Sequence, residues 1–177
     1  MDFKITKWGD DYTQNFKEQV KSIENIYNTI IMMTFKYVST IEDAVEMLEN
    51  FHVLAKRTNV INFVNDKAAA EVYNMFEAEI KEVEDIFDNF THKNKRPPMP
   101  FSHPAFAGMA IWVKSLIHRI DRAKESILQM NFIPKHERHD KAIERYEKLL
   151  KILDSHISKS EFESWTKSIS EGDKSEP

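Results

Sequence analysis

Apolar residues return every third or fourth position over most of this chain, the period of an α-helix with one buried face. From about Tyr12 to Tyr37, the positions Phe16, Val20, Ile23, Tyr27, Ile30 and Met33 keep that step and predict a first helix buried along them. Ser39 and Thr40 stand three residues before Glu42 and Asp43, so either hydroxyl can open a second helix while the acid reaches back to the cap. That helix, over residues 41–57, turns Ile41, Val45, Leu48, Phe51 and Ala55 inward. Asn59, Asn62 and Asn65 loosen the period in "RTNVINFVND" and predict a break or a short helical turn.

The period resumes at Lys67. Val72, Phe76, Ile80, Val83, Phe87 and Phe90 follow one another at intervals of 4, 4, 3, 4 and 3, a heptad-like seam that predicts a long third helix with a coiled-coil-like packing stripe. "THKNKRPPMPFSHP" cannot continue it, because its four prolines remove backbone donors and push the residues before them toward extended conformation. The next helix is expected to start near His103 or Pro104, with proline in the first turn where a missing N–H costs nothing. It turns Phe106, Ala110, Val113, Leu116 or Ile117, Ile120 and Ile127 inward. After a loop around "NFIPKHE", Ala142, Tyr146, Leu149, Leu153 and Ile157 define a last long helix that can run on through Phe162, Trp165 and Ile169.

Composition supports this reading. Only 3 of 177 residues are glycine, so few positions favour the positive φ of tight hairpins or phosphate-cradling loops. The expected fold is all-α, an elongated bundle of about four to five long helices with a proline-rich joint at 97–104. It forms a single helical segment over 1–170, followed by a polar, disordered end at 171–177. Charged residues make up 31% of the chain, both signs are interspersed, and the net charge is -4. Such a surface has no broad basic footprint for nucleic acid.

No cysteine is present, which excludes disulfides and thiolate metal sites. The opening "MDFKITKWGDDYTQ" lacks the apolar core of a secretory leader. The richest apolar run, "TIIMMTF", is far shorter than the roughly 20 residues a bilayer requires. The expectation is a reducing, intracellular setting with no membrane.

Candidate chemistry is sparse. Glu49 and His52 form one Glu-x-x-His, the spacing of di-metal carboxylate bundles, but those bundles use the motif twice and add two inward glutamates. His136 and His139 in "KHERH" read as surface histidines. Gly9, Gly108 and Gly172 are isolated, so the paired glycines of a phosphate-binding loop are missing. Ser155 beside His156 reads as a pair of helix-surface neighbours, and no Gly-x-Ser-x-Gly occurs. Neither catalysis nor a cofactor is expected. Pro97-x-x-Pro100 has the spacing of a polyproline ligand with its flanking bases misplaced, and it reads instead as a rigid connector. Gly108 one turn into a helix costs about 1 kcal/mol relative to alanine, which suggests close approach of another backbone. Trp112 reads as a core anchor.

Taken together, "RPPMPFSHPAFAGMAIWVKSLIHRID" resembles a motif in the tail of dynein heavy chains, in the N-terminal stem region 1. The matching positions are Pro97, Pro98, His103, Pro104, Ala107, Gly108, Trp112, Leu116, Arg119 and Ile120. The segments on either side are similar to the family's flanking helices, with Phe162 and Trp165 closing the downstream one, so that the resemblance covers about residues 40–170. The His-Pro form is closer to axonemal than to cytoplasmic heavy chains, whereas Ala105 stands where many relatives carry a second proline. No residue here matches the family's motor ring, stalk or linker, and its ATP hydrolysis and microtubule walking therefore transfer to no position.

The resemblance implies a rod-like helical tail segment that joins other heavy-chain tails and carries intermediate and light-intermediate chains, in the cytoskeleton of a cilium or flagellum. An independent helical adaptor with a convergent pattern is the alternative.

Overall fold

A computed structural model describes the backbone of residues 3–91 and 105–172 and the side chains of residues 9–91 and 107–159. The described residues are all-α. Their helices are α1 (Phe3–Thr34), α2 (Ile41–Leu54), α3 (Thr58–Phe63), α4 (Ala69–Thr91), α5 (Ala105–Leu128) and α6 (His139–Gly172), with a π-helical turn at Val64–Ala68 joining α3 to α4. Five are long and α3 is short. The proline joint at 97–104 and the residues 173–177 lie outside the described residues.

The chain forms two compact units: Met1–Val72 with Met130–His136, and Tyr73–Gln129 with Glu137–Pro177.

In the first unit, Thr40 is the residue that opens α2. Its backbone is extended (φ -119°, ψ 154°) and its hydroxyl accepts the Asp43 N–H at 3.1 Å, satisfying one of the donors that a helix start leaves open. Ile41, Ala44, Val45 and Leu48 then face inward, joined by Ala55, Val60 and Val64. Met130 and Ile133, from the loop before α6, are buried as well. The expected break after α2 is a three-residue gap at 55–57, a short helix and the π-helical turn, rather than a long loop.

The buried face of α1 differs from the expectation. Phe16, Ile23, Ile30 and Met33 are exposed, whereas Glu24 and Ile31 are buried. Val20 and Tyr27 are half-buried. At 100° per residue, the inward stripe lies roughly 100° around the helix from the more apolar one. The reason is polar. The Glu24 carboxylate is held by the Arg57 guanidinium and by the Asn59 amide at 3.0 Å, and the Tyr27 hydroxyl donates to the Phe51 carbonyl at 3.3 Å. Turning Ile23 and Ile30 inward would break both contacts.

In the second unit most of the expected seam positions are buried, whereas Phe90 and Ala110 are half-buried. Phe76, Ile80 and Val83 on α4 are fully buried, and Phe87 is 5% exposed. α5 contributes Trp112, Val113, Leu116, Ile120 and Ile127, and α6 contributes Ala142, Tyr146, Leu149, Leu153 and Ile157. Burial of each large aliphatic or aromatic side chain stabilises the fold by about 1.5–3 kcal/mol. α5 and α6 share the most extensive backbone contact among the described helices. α4 reaches both through long side chains: the Phe87 ring stacks on Trp112 at 6.2 Å and meets His156 edge-on at 5.1 Å.

Trp112 is 8% exposed and touches a second ring, Phe90, at 5.4 Å. Trp112→Ala should therefore cost about 3 kcal/mol, the usual range for emptying a large aromatic site. Chemical denaturation of the variant measures this directly, and an unchanged midpoint would contradict the placement.

Candidate assembly surfaces

The described motif residues build an interior and its rim. Trp112, Leu116 and Ile120 occupy successive turns on the buried side of α5, with Gly108 buried in its first turns and Ala107 half-buried. Arg119 stands beside them at the rim. Its guanidinium grips both oxygens of Glu79 on α4 and reaches the Glu82 carboxylate at 2.7 Å. These two carboxylates raise the Arg119 pKa, against a smaller opposing effect of burial, so the charge is permanent.

Pro97, Pro98, His103 and Pro104 lie outside the described residues, as do the side chains of Phe106, Phe162 and Trp165.

Three polar contacts that the residue pattern did not reveal fix how α6 meets its neighbours. Tyr73 and His139 share a hydrogen bond at 3.1 Å, Arg145 pairs with Glu84 at 2.6 Å, and the Tyr146 hydroxyl donates to Asp121 at 2.5 Å. Lys124 lies 4.7 Å above the Tyr146 ring. Burial, and then the Asp121 carboxylate, push the Tyr146 phenol pKa upward, so it remains a donor throughout the neutral range. Each pair joins residues at least 25 positions apart, which no local period encodes.

His139 is spent on this packing, and the His52 ring lies 5.6 Å from Phe132 in the first unit. Among the described residues, no three histidine, aspartate or glutamate side chains converge as metal ligands. No helix among them is long and apolar enough to cross a membrane.

The first unit presents two surface features. A groove of about 540 Å³ runs beside Glu24, lined also by Phe16, Val20, Asn28, Arg57 and Asn59. Along α1 runs an exposed stripe of Phe16, Ile23, Ile26, Ile30 and Met33. Sequence patterning named Phe16, Ile23, Ile30 and Met33 of this stripe, without Ile26, and placed them in the core.

Long apolar seams clamped at the rim in the second unit, and an exposed apolar stripe on α1 in the first, describe a helical packing segment. Comparison with known proteins narrows that class. The model of the dynein heavy chain N-terminal region 1 matches residues 1–176, and the chain belongs to that family. The match is wider than the 40–170 over which the motifs suggested it.

Dynein axonemal heavy chain 2 of Homo sapiens is 28% identical over 169 residues, covering 96% of this chain and 4% of its own length. The dynein-1-beta heavy chain of the flagellar inner arm I1 complex of Chlamydomonas reinhardtii is 28% identical over 159 residues, covering 89% of this chain and 3% of its own. Dynein axonemal heavy chain 5 of Mus musculus is 22% identical over 146 residues, covering 81% and 3% respectively. The chain thus spans only 3–4% of the length of these relatives.

Two predictions follow from the ionic contacts. Arg119 is 37% exposed, so solvent screening keeps its pairing with Glu79 near the upper end of the surface range, about 1 kcal/mol. A double-mutant cycle of Arg119→Ala and Glu79→Gln, read by urea unfolding, should return that coupling, and additive effects would refute it. At Glu24, hydrogen bonds from Asn59 and Arg57 hold the carboxyl pKa below its ordinary value of 4.5. The folded value lies below the unfolded one, so the stabilisation is complete above the unfolded pKa and is lost as pH falls through the folded pKa. The difference in melting temperature between the native chain and Glu24→Gln should accordingly be constant near neutrality and shrink on acidification below about pH 4.5.

Proposed function

We propose that this chain is a non-catalytic scaffold segment of a dynein heavy-chain tail. In this reading it mediates heavy-chain association and binds intermediate and light-intermediate chains. The complex moves toward microtubule minus ends by the ATP hydrolysis of a motor domain that has no counterpart among these residues. The axonemal names of the relatives favour a cilium or flagellum as its place of work.

One observation carries the reading: the described motif residues are spent on packing rather than on reactive groups. Trp112, Leu116 and Ile120 are buried, and Arg119 is paired with two glutamates. A motif used this way sets the geometry of a helical strut, and a strut acts by what it joins. The match across nearly the whole chain to an N-terminal heavy-chain region supports the same conclusion.

Affinity capture with the tagged chain from a ciliary or flagellar extract, followed by mass spectrometry, tests the proposal. Recovery of heavy, intermediate or light-intermediate chains is the expected result. Recovery of none of them overturns it in favour of an independent helical adaptor.

A further inference from the structure

We infer that the groove beside Glu24 is a docking site for an acidic segment of another protein, which lays its carboxylates against Lys17, Lys21, Lys56 and Arg57. The inference rests on reading the chain as a scaffold segment, and it adds the chemistry of one partner.

The groove lies where α1 passes the residues that lead into α3, with Phe16, Val20 and Asn28 in one wall and Arg57 and Asn59 in the other. A second recess of about 340 Å³ shares Glu24, Arg57 and Asn59 with it and brings in Lys56 and Thr58. Together the two are lined by four cationic side chains and a single carboxylate, that of Glu24.

That carboxylate is already committed. It is buried and held by the Arg57 guanidinium and the Asn59 amide, so it offsets at most one of the four charges. Lys17, Lys21 and Lys56 form no ion pair among the described residues. Lys17 and Lys21 also stand four residues apart on one helix face, where like charges repel. An incoming anion relieves that repulsion. Arg57 is 61% exposed, so the donors it does not spend on Glu24 face solvent and can hold a second carboxylate.

The surroundings favour carboxylates carried on a polypeptide. Phe16 is 57% exposed and Val20 half-buried, which gives the groove an apolar ledge for side chains placed among the acids. Asn28 lines the same groove, and its amide oxygen is buried without a hydrogen-bond donor. An unmet acceptor is costly, and a rotation of this amide into the groove would bring it to a peptide N–H, which an extended segment offers at nearly every residue. No side chain between residues 9 and 23 is buried, so the α1 wall is open to an arriving chain. With a net charge of -4 the rest of the protein repels a nucleic acid, whereas a short acidic segment meets only the basic patch.

The probe is a fluorescein-labelled synthetic peptide of about 12 residues that alternates glutamate pairs with leucine. Its fluorescence anisotropy with the purified 177-residue chain at about 50 mM salt should saturate with a Kd between about 1 and about 100 micromolar. Raising the salt to about 500 mM should weaken binding at least about tenfold. Serine in place of every glutamate should abolish it. Lys17→Glu combined with Lys21→Glu should weaken binding at least about tenfold with helical circular dichroism unchanged, because both positions are exposed. Lys141→Glu combined with Lys151→Glu, at exposed positions of α6, alters the net charge equally and should leave the Kd within about twofold.

Absence of saturable binding, equal losses in the two paired variants, or binding that survives the serine substitutions would each overturn the site. So would a single-stranded oligonucleotide that binds as tightly as the peptide, or phosphate that displaces the peptide more strongly than chloride of the same ionic strength. Capture of heavy, intermediate or light-intermediate chains by the Lys17→Glu, Lys21→Glu variant separates these outcomes from failure of the scaffold reading itself.

Discussion

The second unit depends on α4 having somewhere to put a continuous apolar seam. Phe76, Ile80, Val83 and Phe87 follow one another down one side of the helix, and leaving them in water would expose several large side chains at once. α5 and α6 prevent this with buried seams of their own. Phe87 shows the arrangement at one level, with the Trp112 ring of α5 on one side and the His156 ring of α6 on the other. Apolar burial is non-directional, however, and would tolerate several rotations of these helices about their axes.

Direction comes from the charged and hydroxyl groups at the rim. Arg119 has a planar fork that matches the Glu79 carboxylate, so α5 is held at one rotation relative to α4. Arg145 with Glu84 does the same for α6 and α4, and Tyr146 with Asp121 for α6 and α5. Each contact contributes little to stability compared with the seams. Their value lies in selecting one packing among several of similar apolar content.

In the first unit the same logic produces the opposite outcome for apolar residues. The Glu24 carboxylate and the Tyr27 hydroxyl find partners on α3 and α2, and satisfying them decides which side of α1 turns inward. With Glu24 on the inward side its carboxylate must keep these partners, because a buried carboxylate without one costs more than burying an isoleucine gains. The more apolar stripe is consequently left outside.

Much of this architecture could be read from residue order alone. The helix period located α2, α4, α5 and α6 and named their buried residues, because each of these helices has one apolar stripe and therefore one way to be buried. The motif running through Pro97, Pro98, His103, Pro104, Ala107, Gly108, Trp112, Leu116, Arg119 and Ile120 pointed to the family by its ordered spacing. α1 carries two stripes, and its period could not distinguish the face that meets this unit from the face that does not. That choice belonged to Glu24 and to partners 33 and 35 residues away. Sequence by itself determined that the chain is helical and which residues must leave water. Only the tertiary structure decided against what each is buried, because periodicity is a property of one helix, whereas a salt bridge or a ring stack exists only between two.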